Sequence, residues 1–162
     1  MAETTNWLNE DEQATWRAYL LSTLLLEQAL DRQLQRDSQI PVAYYAILVT
    51  LSDASDRRLR MSELARLLGY SPSRMTHAMN SLGRKGWVRR ERCPTDRRGQ
   101  LAVLTEEGMQ ALTVAAPGHV SEVRARLFDP LSPEQVTQLR DICEALLTGL
   151  DTSACPSVDR GS

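Results

Sequence analysis

Apolar residues recur at helical spacing over most of this chain and give way to strand-like runs only near its middle. Between about Glu10 and Arg36, Trp16, Tyr19, Leu20, Leu24, Leu30 and Leu34 fall at the three- and four-residue steps of one helix face. Leu21, Leu25 and Leu26 widen that stripe beyond what one small partner covers, so the helix must pack on several neighbours or on a second chain. Pro41 suits the first position of a second helix through Tyr44, Tyr45, Leu48 and Leu51, which Asp53-Ala54-Ser55-Asp56 breaks. Leu59-Arg60-Met61 reads as a short strand. Ser62 is the expected N-cap of a third, short helix, Glu63 to Leu68, with Gly69 placed to end it. Ser71 and Pro72 open a fourth helix that runs to about Lys85, with Gly86 as its terminator.

Two runs of strand character follow, Trp87–Arg92 and Gln100–Leu104, on either side of a turn at 93–99. Thr105 is the expected cap of a fifth helix, Glu106 to about Phe128, which Pro117-Gly118 should kink or interrupt. Ser132-Pro133-Glu134-Gln135 has the form of a capping box, with Leu131 and Val136 as its hydrophobic staple, and opens the last helix. Val136, Leu139, Cys143, Leu146 and Leu150 repeat along one seam of it, which places Cys143 in the core. The pattern predicts a mainly α fold with a small β-hairpin. One domain spans 10–150, between a flexible segment 1–9 and a disordered tail 151–162.

Charge sharpens this outline. Residues 57–98 hold 12 of the 19 basic side chains and only three acids, a net +9, while 1–56 carry −6 and 99–162 carry −5. The overall −2 conceals a basic block of the kind that binds a phosphate backbone. Other classes recede. No apolar run approaches the ~20 residues of a membrane span, and the polar, acidic start lacks the layout of a secretion signal. The three cysteines, Cys93, Cys143 and Cys155, are too few and too widely spaced for a disulfide framework and suit a reducing cytoplasm. His77 and His119 form no metal-ligand cluster with them, and no cofactor is expected. There is no P-loop, no Gly-x-Gly-x-x-Gly and no His-Glu-x-x-His, so an enzyme is not expected.

The third and fourth helices, joined by Gly69-Tyr70-Ser71, have the form of a helix-turn-helix whose second helix enters the major groove. Met75, Ala78, Met79 and Leu82 face the core, which turns Ser73, Arg74, Thr76, His77, Asn80 and Arg84 outward, where such side chains can read base edges. The helix N-terminus at Ser71 can hold a phosphate. The hairpin offers Arg97 and Arg98 to a narrow, electronegative minor groove, with Asp96 as an ion-pairing organiser. Arg84, Arg89 and Arg90 are read as phosphate contacts or solvated charges, and Arg57, Arg58 and Arg60 as contributors to the field. Taken singly, each feature has a plainer reading as a solvated face or an edge-protecting tip.

These residues together resemble the MarR family of winged helix-turn-helix repressors. The likeness runs from Met61-Ser62-Glu63-Leu64-Ala65 through Ser71–Thr76 to Leu82, Gly86, Val88 and Arg90, into the wing Asp96-Arg97-Arg98-Gly99, and on to Leu104-Thr105-Glu106-Glu107-Gly108. The resemblance implies a winged helix-turn-helix lobe (55–105) flanked by N- and C-terminal dimerisation helices (10–54 and 106–150). It also implies a homodimer, double-stranded DNA with a pseudo-palindromic operator, and a small, often aromatic, effector in a crevice between the dimerisation helices and the lobe. By position, Asp96 and Arg98 match the family's wing pair, and Arg74, Thr76 and His77 its base-reading helix. Gly83 departs from the commoner bulky or charged residue.

Two sensing questions stay open at this level. Trp16, Tyr19, Tyr44 and Tyr45 either line a ligand crevice or are core and interface residues. Cys93, at the base of the wing, is either redox-active or a half-buried packing residue. An architectural DNA binder with little sequence preference is the alternative to a sequence-specific repressor.

Overall fold

The computed structural model describes residues 5–93 and 99–150. Its elements are α1 (Glu10–Ser38), α2 (Val42–Asp53), β1 (Arg58–Arg60), α3 (Met61–Leu67), α4 (Pro72–Arg84), β2 (Val88–Arg92), β3 (Gln100–Leu104), α5 (Glu106–Val123) and α6 (Pro133–Gly149). A 3-10 turn at Ser55–Arg57 leads into β1, and a π-helical stretch, Arg124–Phe128, prolongs α5. The mainly α fold with a small wing-like sheet matches the pattern read along the chain.

Helix starts follow local chemistry where a side-chain cap is available. Asn9 and Glu12 form a capping box on α1, with Asn9 Oδ1 accepting from the Glu12 N–H at 2.9 Å and Glu12 Oε2 from the Asn9 N–H at 2.8 Å. Ser71, Thr105 and Ser132 cap α4, α5 and α6 as expected. Two starts differ. Pro41 stands before α2 rather than in it, and the first N–H of that helix, on Val42, is met by Asp31 Oδ1 of α1 at 2.8 Å. A carboxylate from a neighbouring helix does what a proline side chain cannot. Ser62 is not the cap of α3 either: the helix begins at Met61, with Arg60 in the capping position. β1 stays paired with β3 as far as Arg60↔Leu101, so the chain turns directly from strand into helix.

The sheet is antiparallel in the order β1-β3-β2. The register runs from Val88↔Leu104 at the inner end of the β2–β3 hairpin to Arg92↔Gln100 towards its tip. Ala102, Val103 and Leu104 are buried, so the inner half of β3 belongs to the core and the outer half projects from it. That core is built on Leu34, Ile40, Ile47, Leu48, Leu51 and Leu64 together with the inward face of α4, Met75, Ala78, Met79 and Leu82.

α3 and α4 end alike. Gly69 (φ +62°) and Gly86 (φ +75°) occupy left-handed positions. The Gly69 N–H donates to Arg66 O and the Tyr70 N–H to Ala65 O; the Gly86 N–H donates to Gly83 O and the Trp87 N–H to Leu82 O. Both are Schellman closures, in which a residue free of Cβ lets two otherwise orphaned carbonyls find donors. α4 runs through Gly83 to Arg84 without a break.

α5 continues through Pro117 to Val123, so the expected interruption does not occur. Gly108, Leu112 and Ala115 bury one side of the helix, and this burial outweighs the hydrogen bond lost at proline. At Gly118 a Cβ would come within 2.9 Å of Gln33 Nε2, which marks a close crossing of α5 over α1.

α6 has no buried residue. Val136 and Leu139 of its seam are half-buried, and Cys143, expected in the core, is exposed. Ile142 and Leu146 on α6 and Leu150 just after it are 47–64% exposed, and Trp16, Tyr19, Leu20, Leu21, Leu24 and Leu25 on α1 are 45–56% exposed. Periodicity established which residues share a face, but not what covers it. Among the described residues no helix is long and apolar enough to cross a membrane.

Candidate nucleic-acid interface

The amphipathic pattern of α4 dictates its placement. With Met75, Ala78, Met79 and Leu82 inside, Ser73, Arg74, Thr76, His77, Asn80 and Arg84 all lie exposed on the opposite side. Ser71 is exposed at the N-terminus, where its Oγ accepts from the Arg74 N–H at 3.2 Å. The outward polar face expected of a groove-reading helix is therefore present.

Several of the basic side chains turn out to be bound to their neighbours. Arg90, on β2, donates from Nη2 to the Thr76 carbonyl at 3.1 Å and to Asn80 Oδ1 at 2.8 Å. It braces the hairpin against α4 and occupies the Asn80 amide oxygen. Arg89 pairs with Glu91 at 2.7 Å. Arg84 donates to Ser81 Oγ at 3.1 Å. Ahead of α3, Arg57 pairs with Glu106 at 3.0 Å and Arg58 approaches Asp56 at 3.9 Å. Part of the basic block is thus neutralised locally, by Glu91, Glu106 and Asp56.

Arg74 is held differently. Its guanidinium lies 4.0 Å above the centroid of the Tyr70 ring, and the Tyr70 hydroxyl donates to the Ala43 carbonyl of α2 at 3.2 Å. Burial pushes the Tyr70 phenol above its ordinary value, with nearby Arg74 pulling it down and Glu27 raising it, so the group remains a hydrogen-bond donor. Tyr70 was not among the residues expected here, although an aromatic four positions before an exposed arginine is a readable signal. Lys85 makes a similar contact, 4.5 Å from the Trp87 ring centroid. Arg60, Ser62, Thr76, Arg90, Gly99 and Gln100 line an open crevice of about 410 Å³ where β1, α3, α4 and the base of the wing meet.

The wing is closed at its base by the Cys93 N–H donating to Gly99 O at 3.0 Å. Asp96, Arg97 and Arg98 lie outside the described residues. Cys93 itself is buried. The inner end of the hairpin is fixed by Leu104-Thr105-Glu106-Glu107-Gly108. The Thr105 hydroxyl accepts from the Gly108 N–H at 3.0 Å and donates to Gly86 O at 2.6 Å, while the Thr105 N–H donates to Trp87 O at 3.1 Å. This small knot joins the end of α4, the start of β2, the end of β3 and the start of α5.

The aromatics considered for a ligand crevice form two separate pairs. Trp16 and Tyr19 stack at 6.1 Å on the exposed half of α1. Tyr45 is buried, with its ring centroid 4.4 Å from that of His119, and adjacent Tyr44 packs against the core. Burial raises the Tyr45 phenol and lowers the His119 imidazole. Gly118, beside His119, abuts Gln33, and roughly 20 Å of helix separates Tyr19 from Gln33.

Residues 38–99 match the model of the MarR family. The structure is similar to that of Sco3205, a MarR family transcriptional regulator from Streptomyces coelicolor solved in complex with DNA. The identity is 48%, the TM-score is 0.87, and the likeness covers 96% of this chain and 94% of that one. AbsC, a MarR family transcriptional regulator from the same organism, is 39% identical with a TM-score of 0.83, over 90% of this chain and 97% of its own. Among curated proteins, the transcriptional repressor MprA of Escherichia coli K12 is 31% identical over 107 residues, which are 66% of this chain and 60% of MprA.

Proposed function

This chain belongs to the MarR family, and from that premise we propose that it is a homodimeric, sequence-specific DNA-binding transcriptional regulator that acts as a repressor. The observation that carries the reading is the exposed polar face of α4, braced by Arg90 to the wing inside a block of net charge +9. Arg74, Thr76, His77 and Asn80 read bases in a major groove. Ser71, Ser73 and Arg84 contact the flanking backbone, and Arg97 and Arg98, organised by Asp96, enter the adjacent minor groove. Segments 10–54 and 106–150 pair two chains, and 55–105 engages DNA. The exposed apolar faces of α1 and α6 support pairing, since a patch of that kind marks an interaction surface. Two-fold symmetry then calls for an inverted-repeat operator with half-sites about 10 bp apart or a multiple of that.

The test is selection of duplexes from a random-sequence library, followed by a salt titration. Binding to the selected duplex should weaken linearly in log–log form as salt rises, with a slope set by the number of phosphates contacted. An unrelated duplex should compete at least about a thousandfold less well. Equal competition by any duplex would favour an architectural binder and remove the repressor reading. Arg98→Ala should weaken binding by about tenfold, with melting temperature and oligomeric state unchanged; unaltered affinity would take the wing out of the mechanism.

A further inference from the structure

A line of contacts connects α1 to the exposed face of α4. Asp31 of α1 caps α2 through the Val42 N–H, at 2.8 Å. The next carbonyl of α2, Ala43 O, accepts the Tyr70 hydroxyl at 3.2 Å, and the Tyr70 ring lies under the Arg74 guanidinium at 4.0 Å. Tyr70 is half-buried, and its backbone is fixed as well, because it closes the end of α3 through its N–H to Ala65 O at 2.8 Å. The ring is thus held at both ends, by α2 and by α3. Arg74 is exposed, and its long side chain would otherwise sample many rotamers.

We propose that Tyr70 is a positioning residue for DNA recognition, a platform whose ring directs the Arg74 guanidinium. The inference rests on the assignment of Arg74 as a base reader. A planar cation over a planar ring keeps its edge N–H groups free, and that edge is what makes a paired contact with a guanine. Platform and donor therefore do not compete. The ring supplies direction, and the hydroxyl's bond to Ala43 O contributes to stability.

The experiment is a double-mutant cycle on the full chain, using a duplex selected by the native protein and an unrelated duplex. Tyr70→Leu should weaken binding to the selected duplex by roughly two- to fivefold, with little change on the unrelated duplex. In an Arg74→Ala background the same replacement should have no further effect. Tyr70→Phe keeps the ring and should restore selective binding while lowering the melting temperature through loss of the Ala43 bond, which separates direction from folding. If the effects of Tyr70→Leu and Arg74→Ala add, or if Tyr70→Phe is as impaired as Tyr70→Leu, the proposal is overturned. If Arg74→Ala itself leaves selective binding unchanged, the base-reading assignment fails, and the role of Tyr70 fails with it.

Discussion

Replacing Ile142 and Leu146 together by glutamate is expected to give a monomer that binds its selected duplex at least a hundredfold more weakly than the native chain. Both side chains are exposed within one chain, and α6 contributes no buried residue, so the core built on Leu34, Leu48 and Leu82 is untouched. In the proposed dimer the same positions come from both chains, and the variant carries four carboxylates into an apolar contact. Charges without partners there cost several kcal/mol each. DNA affinity falls because a paired lobe binds its second half-site as an intramolecular event, an advantage on the order of 10²–10⁴ that a single lobe lacks. α6 has 17 residues, and a helix of that length without a partner is marginal in water. Circular dichroism should therefore show a loss of helix no larger than this one element. Sedimentation of the variant as a stable dimer, or a monomer with native affinity, would overturn the pairing scheme.

Gly108→Ala is expected to destabilise the fold by about 3 kcal/mol. A Cβ at this position would collide with the Trp87 carbonyl oxygen and come within 2.8 Å of Leu104 Cδ1. The carbonyl cannot swing away without cost, because it accepts the Thr105 N–H at 3.1 Å. Moving α5 instead strains the Thr105 cap and its 2.6 Å bond to Gly86 O. Either way the inner end of the wing shifts relative to α4. Urea denaturation should show a lower midpoint with an unchanged slope, and DNA binding of the remaining folded protein should weaken as well. A midpoint within 0.5 M of the native value would mean that this close approach is dispensable.

The fold was legible wherever a few neighbouring residues decide the outcome. Ser71, Thr105 and Ser132 cap their helices with their own oxygen atoms three residues ahead, so the signal and the bond lie in one window. The inward face of α4 was equally plain from its spacing. The misread positions are those settled at a distance. Pro41 looked like a first helical residue because Asp31, 11 positions before Val42, is invisible as the acceptor of the Val42 N–H. Ser62 lost its capping role to the pairing of β1 with β3. Pro117 obeyed burial rather than its local tendency. In the candidate interface, the outward set on α4 was read correctly as a face, yet its internal wiring was not. The Arg90–Asn80 and Tyr70–Ala43 bonds span 10 and 27 positions, and single-sequence patterning carries no term for them.

Arg90 has one more consequence. Its two bonds to α4 tie β2 to that helix. In the proposed function, such a tie constrains the angle about the duplex axis between what α4 inserts in the major groove and what the hairpin inserts in the neighbouring minor groove. On that reading the lobe is a gauge of helical phase. A sequence whose natural twist sets those two grooves at the right angle is bound without deformation, and one that is over- or underwound must be forced into register at an elastic cost. Base pairs lying between the two contacts, touched by neither, thereby acquire influence over affinity.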